Sequence, residues 1–143
     1  MKITQISVFL ENKKGRLYEA ASVLGQNKVN IRALTIAESQ DFGVLRIVVD
    51  NPEKGLEVLK ANGFMASFTD IVAVEVGDDP GGLAAVLKVF ADTGVNIEYM
   101  YAFVEKNTDK ALMVFRFDNT DEAIKVLQKN NINVVGRKEI ESL

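Results

Sequence analysis

The sequence predicts an α+β protein of two βαββαβ units, each an antiparallel sheet carrying its two helices on one face. Three observations lead there. First, the chain is written twice, from Ile6 and again from Val72: Gly15 matches Gly81, Leu17 matches Leu83 and Asn30-Ile31 matches Asn96-Ile97, all at an offset of 66. Second, the offset becomes 68 further on, where Asp50-Asn51 matches Asp118-Asn119 and Asn62 matches Asn130. The two additional residues fall between Ile31 and Asp50, where a hairpin tip is expected, and a repeat that slips only at a loop is a duplicated domain. Third, the hydrophobic period changes within each copy in the order strand, helix, strand, strand, helix, strand.

In the first copy, Ile6 to Leu10 reads as a strand. After Asn12-Lys13-Lys14-Gly15, residues Leu17, Ala20, Ala21 and Leu24 form one helical stripe ending near Gly25 to Lys28. Val29 to Glu38 and Val44 to Val49 are β-rich runs separated by Ser39 to Gly43. Pro52 suits the first turn of a second helix, with Asn51 as cap, Leu56 and Leu59 inward and Gly63 as the stop. A closing strand is expected over Met65 to Asp70.

The second copy repeats this order. Strand Ile71 to Val76 meets the loop Gly77 to Gly82, and a helix follows with Leu83, Val86, Leu87 and Phe90 on its stripe. Strands are expected over Asn96 to Val104 and Ala111 to Asp118, with a longer tip at Glu105 to Lys110. A helix over Asp121 to Asn130 and a strand over Val134 to Glu141 complete it. The units are residues 1–70 and 71–143. With no linker between Asp70 and Ile71, they are expected to dock rigidly.

Composition narrows the function. The 143 residues are 48% hydrophobic and 26% charged, a globular balance. A net charge of −3 argues against nucleic acid or an anionic membrane as partner. No run approaches a membrane span and no signal-peptide pattern opens the chain, so a cytoplasmic protein is expected. The absence of Cys and His removes thiolate and imidazole metal sites and the Ser-His and Cys-His nucleophile pairs. Catalysis would rest on Asp, Glu, Lys or Tyr; a non-catalytic protein without cofactor or metal is expected.

The strands are apolar on both faces. Tyr99, Tyr101 and Phe103 oppose Met100, Ala102 and Val104; Met113, Phe115 and Phe117 oppose Leu112 and Val114; Leu34 and Ile36 oppose Ala33 and Ala37; Val44 and Val48 oppose Leu45 and Ile47. Strands of this kind are covered on both sides. The helix-free face is therefore expected to pack on another sheet, from the sister half or from a second chain.

The loop Asp78-Asp79-Pro80-Gly81-Gly82-Leu83 carries the most distinctive chemistry. Its glycines leave N–H groups open beside a helix start, where a carboxylate binds, and Asp78 can meet an ammonium. That pairing suits a free amino acid; the alternative is a tight turn with Asp as helix cap. The counterpart Asn12-Lys13-Lys14-Gly15-Arg16-Leu17 exchanges Asp for Asn and gains three cations, which favour an anionic group.

These residues resemble the ACT domain, a ferredoxin-like βαββαβ ligand-sensing module of amino-acid metabolism. Its Asp-x-Pro-Gly-x-Leu loop matches Asp78 to Leu83, and its Gly-x-Asn-Ile strand opening matches Gly94-Val95-Asn96-Ile97. The first copy keeps Asn12, Gly15, Leu17, Asn30 and Ile31 but lacks the Pro and Asp. The resemblance covers essentially the whole chain and is strongest to small stand-alone tandem ACT proteins of bacteria. It implies an allosteric sensor holding a small amino acid at an interface between ACT units, through the strand–helix loop of one and the second-strand start of another. Carried over by position, the implied ligand-binding residues are Asn12, Lys14, Gly15, Arg16, Leu17, Asn30 and Ile31 in the first copy. In the second they are Asp78, Pro80, Gly81, Gly82, Leu83, Asn96 and Ile97. A homodimer through the sheet faces and an enzyme of amino-acid metabolism are the implied partners. The alternative is a structural or dimerisation module that regulates an enzyme without a ligand, and Asn96 could equally be a strand-start residue bonding its own backbone.

Other readings are weaker. The Tyr99, Tyr101, Phe103 stripe could stack bases as in RNA-recognition domains, but no accompanying basic motif is present. Asp78, Asp79 and Glu75 fall short of a metal site, no phosphate-loop motif occurs, and Arg16 alone does not make acylphosphatase-like chemistry.

Overall fold

The strands and helices begin where the period of the sequence changes. In the computed structural model, which describes residues 1–104 and 110–143, β1 (Ile3–Glu11) sends Ile6, Val8 and Leu10 to one face. A left-handed Gly15 (φ 91°) then turns the chain into α1 (Arg16–Gln26). β2 (Ile31–Glu38) and β3 (Phe42–Val49) form an antiparallel hairpin, and α2 (Pro52–Ala61) returns the chain to β4 (Met65–Gly77). The expected cap is present: the Asn51 side chain accepts from Lys54 N at 3.2 Å, and Gly63 ends the helix at φ 84°.

The chain divides into two units, Thr4–Thr69 and Met1–Ile3 with Asp70–Leu143. In the first, the strand order is β2-β3-β1-β4, the last being the opening part of β4. Its core joins Ile6, Val8, Leu45 and Ile47 of the sheet to Ala20, Leu24 and Leu59 of the helices. Gly55 lets α2 sit close: a Cβ there would meet Ile6 Cδ1 at 2.9 Å and Val49 Cγ2 at 3.3 Å.

The second unit repeats the order as β7-β4-β6-β5, with β5 (Ile97–Ala102), β6 (Lys110–Phe117) and β7 (Val134–Val135). Helices α3 (Gly82–Lys88) and α4 (Thr120–Lys129) supply Val86, Ala123 and Leu127 to a core with Val72, Val74, Phe115 and Phe117. Asn119 caps α4 as Asn51 caps α2, accepting from Glu122 N at 3.1 Å. The copies even share a break in register between their second and third strands, at Ile31/Ala33 and at Ile97/Tyr99. They share left-handed backbone too: Gly63 (φ 84°) corresponds to Asn131 (φ 58°), whereas Lys28 (φ 59°) stands where the second copy has Gly94.

The slip in the repeat lies at the hairpin. Ala37 pairs with Val44, and the equivalent Phe103 N–H donates to Leu112 O, so the extra residues fall beyond those pairs. The expected tip at Glu105 to Lys110 lies, apart from Lys110, outside the described residues.

Two expectations are corrected. Met65 to Asp70 and Ile71 to Val76 are one strand, because no turn residue interrupts Ser67 to Val76. The closing strand over Val134 to Glu141 is two residues long and gives way after Gly136 to α5 (Arg137–Glu141). The run Arg-Lys-Glu-Ile-Glu favours helix, Arg137 Nε reaches Glu141 Oε1 at 2.6 Å one turn away, and Ile140 is buried.

The helix-free faces differ. In the second unit Ala73, Tyr101, Leu112 and Val114 are buried. In the first, Ala33 and Val48 are buried as well, but the Phe9 and Phe42 rings, tilted with centroids 4.9 Å apart, are 43% and 44% exposed. Their counterparts in the second copy, Glu75 and Lys110, form an ion pair at 3.9 Å.

Candidate functional site

Both strand–helix loops place a left-handed glycine at the helix cap, Gly15 and Gly81, and neither helix has a side-chain cap. Asp78 therefore does not act as the helix cap in the second loop. There the turn closes on itself: Gly82 N donates to Asp79 O and Ala85 N to Gly81 O, both at 3.0 Å. A Cβ on Gly82 would collide with the Gly77 carbonyl oxygen, so this position requires glycine for space alone.

The first loop is tied to the β2–β3 hairpin. Asn12 Nδ2 donates to Ser39 O at 3.0 Å and Gln40 O at 3.2 Å, while its backbone N–H donates to Asp41 O. Two of the three loop cations are engaged within the unit. Lys13 Nζ lies 3.4 Å from Glu11. Arg16 bonds Glu19 at 2.7 Å and stacks its guanidinium 4.4 Å above the Phe64 ring, with Nε buried and lacking an acceptor. Lys14 is exposed, and among the described residues it is the loop cation without an ion-pair partner. Asn12 and the half-exposed Leu17 line a groove of about 150 Å³ with Ile36 and Glu38.

The strand starts are built identically. Asn30 N donates to Asp50 Oδ1 at 2.9 Å and Asn30 O accepts from Asp50 N at 3.0 Å. Asn96 N donates to Asp118 Oδ1 at 2.9 Å and Asn96 O accepts from Asp118 N at 3.1 Å. Both Asn side chains are exposed, whereas Ile31 and Ile97 pack on their cores. Asp50 and Asp118 were visible in the sequence only as markers of the repeat; their service to the strand start is a tertiary contact.

Within a unit, the candidates form two groups rather than one. The first loop meets the hairpin tip at Ser39 to Asp41, while Asn30 meets Asp50 beyond the far end of β3. Eight strand residues separate those ends, about 25 Å at ~3.4 Å per residue. In the second unit Gly77 pairs with Lys110 at one end of β6, and Ile97 with Phe117 at the other. Pro80, Gly81 and Gly82 do converge, with Asp79, Asn130 and Ile132, on a groove of about 490 Å³. Asp78 is exposed outside that lining and Leu83 packs on the core.

The aromatic stripe is closed to base stacking in this conformation: Tyr101 and Phe103 are at most 9% exposed. Among the described residues no group of three or more acidic side chains is placed to hold a metal ion, and no helix is long and apolar enough to cross a membrane.

A family model described as an ACT domain pair matches residues 1–143. A crystal structure of protein BT0572 from Bacteroides thetaiotaomicron is 40% identical, covers 100% of this chain and 98% of its own, and superposes with a TM-score of 0.93. The ligand-free regulatory subunit of aspartate kinase from Thermus thermophilus is 18% identical over 88% of this chain and 91% of its own, with a TM-score of 0.61. The corresponding subunit from Thermus flavus is 17% identical over 88% and 90%, with a TM-score of 0.58. At those identities the likeness to the two subunits is one of fold. No curated protein matches the chain.

Proposed function

We propose that this chain, which belongs to the ACT domain family as a domain pair, is a non-catalytic regulatory protein that binds a small amino acid at an interface between ACT units. Domains of this family are typically regulatory and ligand-binding. The observation that carries the reading is the separation of the candidate groups in each unit. Open loop N–H groups and acidic or basic side chains stand at one end of the sheet, and an exposed Asn at the other. A ligand held by both needs the loop of one ACT unit and the strand start of a second. The backbone N–H groups of Leu83 and Ala84 in the first turn of α3 suit the ligand carboxylate and Asp78 its ammonium. Fold likeness to aspartate kinase regulatory subunits supports an enzyme of amino-acid metabolism as the regulated partner.

A thermal-shift screen of the intact chain against the twenty amino acids tests this. One amino acid, or a small chemically related set, should raise the midpoint at millimolar concentration, and Asn96→Ala should reduce the effect; silence from all twenty sinks the reading.

A second reading, a dimerisation module that regulates an enzyme without a ligand, is favoured by the exposed Phe9–Phe42 pair. It predicts self-association and co-purification with an enzyme, both indifferent to amino acids.

A further inference from the structure

The two copies treat the loop end of their helix-free faces in opposite ways. Where the first copy has Phe9, Phe42 and Met65, the second has Glu75, Lys110 and Asn133, at offsets of 66, 68 and 68. The second unit finishes this end with the Glu75–Lys110 ion pair and an exposed Asn133 side chain. The first leaves it apolar, with Met65 72% exposed beside the two half-exposed rings. Met65 and Phe9 line a groove of about 360 Å³ with Val44, and both line a second with Phe42.

Sulfur chemistry sets Met65 apart within this patch. The chain has four methionines and no cysteine, so thioethers are its only sulfur groups. Met100 and Met113 pack on the core of the second unit. Met1 is 55% exposed, and its Sδ accepts from Gln128 Nε2 at 2.9 Å. Thioether oxidation follows exposure, and it turns a flexible apolar side chain into a polar one. Met65, the most exposed of the four, is also the one whose oxidation changes the character of a surface.

We propose that Met65 is an oxidation site, and that its sulfoxide switches the loop end of the first unit's face from apolar to polar while the unit stays folded. A hydroperoxide such as hydrogen peroxide supplies the oxygen atom. The S–O bond forms as the O–O bond breaks, the sulfur loses two electrons, and water or the alcohol leaves. A thiol-dependent sulfoxide reductase reverses the step, releasing the oxygen as water while two thiols become a disulfide. The twin copy shows that the frame accepts a polar group here. Phe64 N donates to Leu59 O and Ile132 N to Leu127 O, both at 3.0 Å, and the next residue is Met65 in one copy and the exposed Asn133 in the other. The site needs neither an amino-acid ligand nor a second ACT unit, so it stands or falls separately from the function proposed above.

Peroxide titration of the intact chain, followed by peptide mass mapping, tests the site. Met65 should gain one oxygen atom severalfold faster than Met1, Met100 or Met113. The oxidised chain should lose binding of a hydrophobic dye, keep its denaturant midpoint, and regain dye binding after treatment with sulfoxide reductase. Met65→Leu should bind dye like the parent chain and continue to do so after peroxide, whereas Met65→Gln should match the oxidised parent without any treatment. Oxidation of another methionine ahead of Met65 overturns the proposal, as does dye binding that oxidation leaves unchanged. Unfolding on oxidation, or loss of dye binding by peroxide-treated Met65→Leu, overturns it equally.

Discussion

Asp118 holds Asn96 at both ends of its backbone: its carboxylate accepts the Asn96 N–H at 2.9 Å and its own N–H donates to the Asn96 carbonyl at 3.1 Å. Asp50 holds Asn30 in the same way. The clamp leaves each Asn side chain exposed at a strand start whose backbone is fixed, a condition for recognition by that side chain.

Removing one clamp should therefore cost stability and order together. Asp118→Ala leaves the Asn96 N–H without its acceptor and should destabilise by about 1–2 kcal/mol, read as a lower urea midpoint. Amide exchange at Asn96 should accelerate at the same time.

The matched helix caps give a second expectation. Asn51→Ala and Asn119→Ala should each cost about 1 kcal/mol, since each removes the acceptor for one helical N–H. Asp in place of Asn should retain most of the stability by chemical denaturation.

The loop glycines should not behave alike. Gly15 has a left-handed φ but open space around its missing Cβ, so Gly15→Ala should cost about 1 kcal/mol. Gly82→Ala drives a methyl into the Gly77 carbonyl and should cost more than about 2 kcal/mol by forcing the loop to move. Melting temperatures of the two variants rank the effects; an equal loss would contradict the geometry.

Phe9 and Phe42 are each nearly half exposed, so the double change to Ser should cost little monomer stability while abolishing any self-association through that face. Sedimentation velocity reads the association and a denaturant melt reads the stability. Unchanged self-association would remove this face from the interface.

Much of the fold was legible because local and periodic signals agreed: Asn51-Pro52 announced a cap, Leu17 to Leu24 a stripe, and the repeat checked every element against its twin. The closing strand departs from the repeat because the run Arg137 to Glu141 favours helix over the extended pattern of the first copy. The candidate residues could be named from the loop and strand motifs, yet their division between two ends of the sheet could not, because it depends on strand register. Arg16 illustrates the rest: its charge suggested a ligand, while its stacking on Phe64 joins residues on either side of two strands and a helix.

The left-handed positions give the duplication a practical use. Lys28 and Asn131 adopt φ near 60°, and at each of these places the other copy carries glycine, Gly94 and Gly63. At Gly63 and Asn131 the duplication has left two answers to one left-handed backbone demand inside a single molecule, whereas Gly94 does not share the left-handed φ of Lys28. Lys28→Gly relieves a left-handed cost of roughly 1 kcal/mol but loosens the unfolded chain, whereas Gly63→Asn does the reverse. Exchanging residues between the copies lets these opposed terms be weighed in one protein, with its twin as an internal standard.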